Sequence, residues 1–532
     1  MLDTAGNIII IVGIILGIII ILLLAYTMYF FRFDQKQKKQ SVLRNYPLLG
    51  RIRYFFENIG PEFRQYWFDS DTEGRPFSRE EYQQIVKTGK YKRSVMSFGS
   101  KRDFDGEGYY VSNAMFPKLQ EELKVDEDTI ALTQRYLLIK EPLLTGRVEE
   151  LEEDSSLAYL LDDDDAVVIG PNTEHPFVAK SLVGMSGMSY GSLGKNAVKA
   201  LSLGLDMAQG TWMNTGEGGL SPYHMEGNVD IIMQIGPAMF GVRTPEGKLD
   251  LEELKRKSEI EQLKAFELKL GQGAKTRGGH IDAEKVTQEI ADIRKVVPFQ
   301  SIDSPNRFKE FDDVPGMCDF IETIRETTGK PVGIKIVVGN INSVEPLAKY
   351  MQETGRGPDF ITVDGSEGGT GASYQEMMES IGLPIRSALP ILHETLKKYG
   401  VRDQVKIIAS AKMFTPDRIA IALAMGADLV NVARGFMISV GCIQALKCHT
   451  NTCPVGVTTT DPDLEKALVV EEKKHRVANY LITLRQGLFR LAAAAGLETP
   501  TQITAEHIMY KDNEGSVHSL KTMMEDIHQK VQ

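Results

Sequence analysis

Short apolar segments alternate with helical segments from about residue 177 onward, and this alternation constrains the fold more than any other feature. The candidate strands are apolar throughout; they are residues 181–185, 211–214, 231–235, 332–338, 360–363, 405–409 and 429–432. Strands of this kind lie in a parallel sheet that helices cover on both faces. About seven such units in succession favour a closed barrel over an open sheet, so the predicted fold class is α/β, a (β/α)₈ barrel of the TIM type.

One barrel strand is not visible in the pattern, and we expect it near residues 296–301. Residues 251–270 are instead predicted to form an amphipathic helix, because Leu251, Leu254, Leu263, Phe266 and Leu270 recur at near-helical spacing. Further helices are predicted at residues 319–327, 344–354, 390–399 and 416–425.

Residues 8–31 form a second constraining feature, because they include no charged side chain. Such a run spans a bilayer as a single helix. It lacks the basic start of a signal peptide and ends in aromatic residues, and the alternative is a buried helix of a soluble protein. Arg32, Lys36, Lys38, Lys39 and Arg44 follow, so the positive-inside rule predicts a cell-membrane anchor with a cytoplasmic catalytic domain.

The remaining chain divides by composition. Residues 1–34 are the predicted anchor, residues 35–170 a lead-in region, residues 171–460 the barrel and residues 461–532 a polar, helix-rich segment that reads as a cap or interaction tail. The formal net charge of −11 argues against a nucleic-acid partner, since such proteins need a basic face.

Glycine-rich segments follow three of the predicted strands, at residues 184–191, 214–219 and 364–371. Glycine lets the backbone approach a ligand closely and point N–H groups at phosphate oxygens. Three such loops at one end of a barrel predict a phosphorylated cofactor, with purely structural turns as the alternative. Lys335 lies inside an apolar strand, which favours a side chain that meets a negative partner such as a reduced flavin ring; the alternative is a lysine that reaches solvent.

Three of the four cysteines are close together in the sequence. Cys442, Cys448 and Cys453 have the spacing C-x₅-C-x₄-C, with Pro454 after the last, which is typical of thiolate ligands to an iron–sulfur cluster. Three ligands favour a 3Fe–4S cluster. The alternative is a zinc site that also uses His449, although adjacent Cys448 and His449 make awkward tetrahedral ligands.

Together, the segments 187–192, 214–219, 271–275, 367–372 and 441–456 resemble the FMN-binding synthase domain of glutamate synthase, in that family's order and over roughly residues 175–460. The resemblance implies bound FMN, a 3Fe–4S cluster on the three cysteines, and conversion of 2-oxoglutarate and ammonia to L-glutamate through 2-iminoglutarate. It also implies roles for individual residues. Glu217 and Lys335 would be catalytic, and Lys275 would bind 2-oxoglutarate. The FMN-binding residues would be Met185, Ser186, Ser189, Asn214, Gln234, Lys335, Gly368, Gly369, Gly371, Ser410, Ala411, Lys412, Ala433, Arg434 and Gly435.

The chain also departs from that family. It has no cysteine glutaminase domain and no separate nicotinamide-binding domain, so we expect free ammonia and an electron-donor protein. Residues 276–280 and 304–308 differ from the family's turns on the expected substrate side. The alternatives are therefore a membrane-tethered flavodehydrogenase that acts on another amine or amino acid, and a non-catalytic scaffold subunit.

Overall fold

The computed structural model describes residues 2–96, 98–142, 146–273, 275, 279–371 and 373–531. The chain forms two compact units, Met1–Tyr82 and Gln83–Gln532, and each is described by itself.

The larger unit is built on a closed barrel of eight parallel strands. In chain order the strands are β1 (Val183–Met185), β2 (Trp212–Asn214), β3 (Asp230–Ile235), β4 (Leu263–Lys269), β5 (Val332–Ile336), β6 (Phe360–Asp364), β7 (Lys406–Ser410) and β8 (Leu429–Val432). The barrel closes where β8 pairs with β1 in parallel register, Val432 opposite Met185. The predicted (β/α)₈ fold class is confirmed.

The predicted position of the eighth strand is wrong. Residues 263–269 form β4 rather than the end of a helix, which stops at Ser258, and residues 296–301 form turns. The reason is that Glu267 and Lys269 point into the barrel and are buried, while Phe266 and Leu268 alternate with them. Charged residues on the inward face removed the continuous apolar run by which the other strands were recognised.

The four predicted helices around the barrel are confirmed as Val314–Thr328, Glu345–Thr354, Ile385–Lys398 and Pro416–Ala424. Their ends follow local chemistry: the Asp313 side chain accepts a hydrogen bond from the backbone N–H of Gly316 and caps the first of them. The other helices of this unit are Arg79–Tyr91, which begins in the smaller unit, Lys195–Ala208, Leu251–Ser258, Gln288–Arg294, Gln375–Ser380, Arg434–Ser439, Pro462–Glu465, Val470–Ala494 and Leu520–Val531.

Helix Val470–Ala494 is part of the core of the larger unit rather than a polar tail. It packs on helix Lys195–Ala208 at Gly204, where a Cβ atom would lie 2.4 Å from the carbonyl oxygen of Lys474. Its fully buried Arg485 donates hydrogen bonds to the carbonyl oxygens of Ala158 and Ala208, at 3.0 and 2.7 Å. These contacts join the C-terminal segment to the barrel.

Short antiparallel sheets complete the larger unit. Strand Gly108–Val111 pairs with Ile508–Lys511, so the lead-in region and the C-terminal segment share a sheet. The other strands outside the barrel are Ile130–Lys140, Val148–Leu157, Val167–Ile169, Phe177–Ala179, His280–Ile281, Ile302–Asp303 and Val517–Ser519.

The smaller unit is helical. Its helices are Leu2–Lys36, Ser41–Asn45 and Leu49–Phe63, and a π-helical turn, Arg64–Phe68, continues the last of them. By length and composition the stretch Gly6–Lys36, here called the apolar helix, can cross a membrane, and a signal sequence passes the same test.

Candidate active site

The carboxyl ends of the barrel strands carry a group of buried polar and charged side chains. Asn214 ends β2, Gln234 lies near the end of β3, Lys269 ends β4 and Asp364 ends β6, and all four are buried. Enzymes with this fold carry their chemistry at this end of the barrel. The structure therefore brings the residues predicted for the flavin and for catalysis to one mouth.

Glu267 organises the interior just below that mouth. Its carboxylate accepts hydrogen bonds from the side-chain amides of Asn214 and Gln234, at 2.9 and 2.5 Å, and from the Thr362 hydroxyl at 2.6 Å. Because an amide NH₂ group must face the carboxylate, these bonds fix how Asn214 and Gln234 are oriented. The side-chain Oδ1 atom of Asn214 in turn accepts a hydrogen bond from the backbone N–H of Gly216 at 2.9 Å.

Glu217 lies between two buried lysines. Its Oε1 atom accepts hydrogen bonds from Lys269 Nζ at 2.8 Å and from Lys275 Nζ at 2.7 Å. Burial alone would raise the pKa of the Glu217 carboxyl, but the charges of Lys269 and Lys275 outweigh burial and hold this pKa well below its usual range. Burial lowers the pKa of Lys269 to about 8, although the Glu217 carboxylate opposes this shift.

Lys335 has the negative partner that its position on β5 predicted. Its Nζ atom is 3.4 Å from Asp364 Oδ2, and both side chains are buried. The same Asp364 oxygen accepts a hydrogen bond from the backbone N–H of Gly273 at 3.0 Å. Burial raises the pKa of the Asp364 carboxyl, but the Lys335 charge and the Gly273 hydrogen bond outweigh burial and lower this pKa.

Arg294 is a cation at this mouth that the sequence did not reveal. It ends helix Gln288–Arg294, is almost fully buried, and donates from Nη2 to the carbonyl oxygen of Tyr190 at 3.1 Å. Its Nε atom is buried and has no hydrogen-bond partner among the residues that the structure describes. Burial lowers the pKa of Arg294 to about 10, and the Glu217 charge opposes this shift. A Cβ atom at Gly218 would lie 3.0 Å from Nη2, so the guanidinium reaches the loop that carries Glu217.

The loop after β1 lies against the loop after β2. Met185 and Ser186 are buried, and the backbone N–H of Ser186 donates to the carbonyl oxygen of Val432 at 2.9 Å. A Cβ atom at Gly216 would meet the backbone nitrogen of Ser189 at 2.8 Å. The first two glycine-rich segments therefore pack side by side at the mouth.

The residues predicted for the phosphate lie together beyond β6, β7 and β8. Arg434 Nη2 donates to the carbonyl oxygen of Glu367 at 2.5 Å, and a Cβ atom at Gly369 would lie 2.9 Å from Arg434 Nη1. Ala411 and Lys412 have positive φ angles of 126° and 48°. A cation, a close-packed glycine and backbone with positive φ after the last strands fit a phosphate group, which such barrels commonly bind there. The other predicted members of this group are Gly368, Gly371, Ser410, Ala433 and Gly435.

The three cysteines lie on a loop beside the mouth. A Cβ atom at Gly371 would be 2.8 Å from the Cβ atom of Cys448, and the carbonyl oxygen of Cys448 accepts a hydrogen bond from Lys285 Nζ at 2.9 Å. Burial raises the pKa of the Cys442 thiol to about 11. Burial also raises the pKa of Cys453, but hydrogen bonds to its sulfur, with those from Thr458 the strongest, outweigh burial and lower it.

Among the residues that the structure describes, no three His, Cys, Asp or Glu side chains are placed to hold a single metal ion. The donor set itself fits an iron–sulfur cluster, because it consists of three thiols, and the sulfur of Cys442 accepts a hydrogen bond from the backbone N–H of Gln444 at 3.5 Å. Thr276, Arg277 and Gly278, in the altered turn after Lys275, lie outside the described residues.

A closed (β/α)₈ barrel with buried lysine–carboxylate pairs at the carboxyl ends of its strands defines an α/β-barrel protein whose candidate site is at that end. Residues 126–498 match the family model described as the conserved region in glutamate synthase. The chain belongs to the glutamate synthase family.

Several relatives bear this out. The chain is 57% identical over 523 residues to the glutamate synthase large subunit-like protein YerD of Bacillus subtilis. The aligned residues cover 98% of this chain and 99% of that protein. It is 32% identical over 297 residues to the archaeal-type NADPH glutamate synthase of Thermotoga neapolitana, 55% of each chain. It is 28% identical over 319 residues to the NADPH glutamate synthase large chain of Bacillus subtilis, 59% of this chain and 20% of that one. The match thus spans about half of the archaeal-type enzyme.

Proposed function

We propose that this protein is an FMN- and iron–sulfur-dependent oxidoreductase that reduces 2-iminoglutarate, formed from 2-oxoglutarate and ammonia, to L-glutamate. The observation that carries the proposal is the Glu217 carboxylate held between Lys269 and Lys275 at the barrel mouth, in a member of the glutamate synthase family. In such a cluster the ammonium groups can bind an anion, and the carboxylate and an ammonium group can exchange protons.

The charges of the mouth suit a dicarboxylate. Among the described residues around Glu217, four buried cations, Arg294, Lys269, Lys275 and Lys335, lie near three carboxyl groups, those of Glu217, Glu267 and Asp364. The excess of cations favours a bound anion, since a buried charge is costly without a partner. Arg294, with its unpartnered Nε, and Lys275 would bind the carboxylates of 2-oxoglutarate.

Proton transfer is assigned to Glu217 and Lys269. Imine formation needs a base that takes a proton from the attacking nitrogen and an acid that protonates the departing oxygen as water. Glu217 is held ionised and can accept a proton, as a weak base because its pKa is lowered. Lys269, with a pKa of about 8, exchanges its proton near neutral pH and can act as the acid. Their hydrogen bond of 2.8 Å lets the proton pass from one to the other.

FMN would be held by the glycine loops, with Gly369, Ala411 and Arg434 at its phosphate and Asn214 and Gln234 at its ring. When bound, it supplies the hydride that reduces the imine carbon. Lys335 beside Asp364 is placed to orient the ring and balance its charge. In this proposal, Cys442, Cys448 and Cys453 would hold a 3Fe–4S cluster, which would supply single-electron transfer from a donor protein. The apolar helix would cross the cell membrane once, with the catalytic domain on the cytoplasmic side.

The full chain, purified in detergent and reduced by methyl viologen radical without oxygen, tests the proposal. Oxidation of the dye should require both 2-oxoglutarate and ammonium and should yield glutamate in equal amount to the 2-oxoglutarate consumed. Glu217→Gln should keep its FMN and lose this activity. No dye oxidation with 2-oxoglutarate and ammonium, together with reduction of an oxidised dye by another amine or amino acid, would refute the substrate and favour a flavodehydrogenase. A preparation that binds no flavin would favour a scaffold.

A further inference from the structure

The smaller unit carries a row of exposed apolar side chains on one face of helix Leu49–Phe63, here called the amphipathic helix. Leu49, Ile52, Phe56 and Phe63 recur at helical spacing, and Trp67 extends the row into the following π-helical turn. All five are exposed, and Trp67 has 75% of its surface accessible. Single exposed apolar residues are ordinary, but a contiguous row of large ones marks an interaction surface.

Polar side chains border this row and occupy much of the side opposite to it. Arg53 and Glu57 form an ion pair at 3.4 Å, one helical turn apart, beside the row. Asn58 and Glu62 are exposed on the opposite side, which also carries the exposed ring of Phe55. A helix with one aromatic face and one charged face is the form that lies along a membrane surface, with its apolar face towards the acyl chains.

Arg51 attaches the start of the amphipathic helix to the end of the apolar helix. Its Nε atom donates to Asp34 Oδ2 at 2.9 Å, and its guanidinium lies 4.4 Å from the centre of the Phe30 ring. The backbone N–H of Leu48 donates to the same Asp34 oxygen at 3.1 Å, and Asp34 is fully buried. The amphipathic helix therefore begins beside Phe30 and Asp34. These two residues lie at the end of the apolar helix, where that helix would leave the bilayer if it spans one.

The connecting segment is strongly basic. Residues 32–53 include one acidic residue, Asp34, and seven basic residues, which are Arg32, Lys36, Lys38, Lys39, Arg44, Arg51 and Arg53. Each basic side chain close to an anionic leaflet adds to the attraction, so the charge favours a surface of anionic lipid over one of zwitterionic lipid.

We propose that the amphipathic helix lies in the headgroup region of an anionic lipid bilayer, with Leu49, Ile52, Phe56, Phe63 and Trp67 turned towards the acyl chains. The protein then has two membrane contacts, one that crosses the bilayer and one that lies on it. The inference rests on the proposed anchoring by the apolar helix, and the experiment distinguishes the failure of either.

Trp67 provides the probe, because the chain has two tryptophans and the other, Trp212, is fully buried in the barrel. The full chain is reconstituted in vesicles of phosphatidylcholine and phosphatidylglycerol, with and without bromine atoms on the upper part of the acyl chains. The emission of Trp67 is obtained by subtracting the tryptophan fluorescence of the Trp67→Phe variant from that of the wild-type chain. We expect bromine to remove roughly half or more of it, and aqueous iodide to quench it little.

Two variants at neighbouring positions sharpen the result. Phe56→Glu places a charge in the apolar row and should restore iodide quenching of Trp67, whereas Glu57→Gln changes the polar face and should leave the quenching by bromine as it is. Flotation of the chain with the vesicles reports separately on the apolar helix.

Each other outcome overturns part of the account. A chain that does not float with the vesicles refutes the anchor and this inference together. A chain that floats while iodide, and not bromine, quenches Trp67 refutes this inference alone. Shielding of Trp67 from both quenchers, with cross-links to a second copy, would show that protein rather than lipid covers the row, and would also refute it.

Discussion

Glu217→Gln is predicted to shift the titration of Lys269, and through it the pH dependence of 2-oxoglutarate binding. The substitution removes the negative charge 2.8 Å from Lys269 Nζ but keeps an oxygen that can accept the same hydrogen bond. The pKa of Lys269 is already lowered to about 8 by burial, and the Glu217 carboxylate is the charge that keeps it from falling further.

The size of the shift follows from the distance. Two unit charges at 2.8 Å interact by about 6 kcal/mol at an effective dielectric constant of about 20, which at about 1.4 kcal/mol per unit corresponds to roughly four pKa units. The Glu217 charge is spread over two oxygens and is shared with Lys275, so we expect a smaller shift, of about one to two units, to a Lys269 pKa of about 6 to 7.

The assay is a binding titration, because the variant is also expected to lose turnover by about 100-fold or more if Glu217 is the base. The dissociation constant of 2-oxoglutarate is measured from the change in flavin absorbance between pH 5.5 and 9.5. In the wild type, binding should weaken as pH rises through about 8, because Lys269 loses its proton and its charge. In Glu217→Gln, the same weakening should begin about one to two pH units lower.

The matched control is Glu289→Gln. Glu289 is also a carboxylate with two hydrogen-bond donors, the hydroxyls of Tyr190 and Tyr223 at 2.6 and 2.5 Å, but neither is a lysine of the site. Its variant should keep the wild-type profile. An unchanged profile in Glu217→Gln, or an equal shift in both variants, would refute the coupling of Glu217 to Lys269.

Three further changes have defined outcomes. Asp364→Asn leaves the Lys335 charge buried without its partner and should lower the free energy of unfolding of the cofactor-free protein by about 3 kcal/mol in urea titrations; a loss below about 0.5 kcal/mol would contradict the pairing. Arg294→Gln should raise the KM for 2-oxoglutarate by about tenfold or more with FMN content unchanged, and an unchanged KM would remove Arg294 from the substrate site. Cys448→Ser should abolish bound iron measured by colorimetry while FMN stays, and wild-type iron content would refute the cluster.

The sequence predicted those parts of the fold in which the apolar residues of a segment are also the ones buried in the structure. Strands β5 to β8 are almost entirely buried, and the helices between them each have one buried face. Their apolar runs and helical spacing are therefore visible without any knowledge of neighbours. The cysteine motif is also visible in the sequence, because its three cysteines lie within one loop and their spacing alone predicts a cluster.

Strand β4 was missed because function and pattern conflict there. Glu267 and Lys269 face the barrel interior, where they contact Asn214, Gln234 and Glu217, and a strand that carries two charges inward no longer looks like a barrel strand. Sequence rules are expected to fail at functional sites for this reason. The period-two alternation of Phe266 and Leu268 with these charges was the available signal.

Arg294 could not be found from the sequence by the same rules. An arginine in the last turn of a helix is ordinarily explained by the helix dipole and solvent, and nothing local shows that this one is buried against Tyr190 and the loop of Glu217. Helix Val470–Ala494 was likewise misread as polar, because its many charged residues near the start conceal a buried second half that only the contact with helix Lys195–Ala208 explains.

The most direct test of the central claim is a single turnover. The full-length protein with FMN is reduced chemically without oxygen, freed of excess reductant, and mixed with 2-oxoglutarate and ¹⁵N-labelled ammonium while the flavin absorbance is followed. The account predicts that the flavin re-oxidises only when both are present and that ¹⁵N-labelled L-glutamate forms in proportion to the enzyme's stored electron pairs. A flavin that stays reduced in the presence of both compounds, or re-oxidises without forming labelled glutamate, would contradict it.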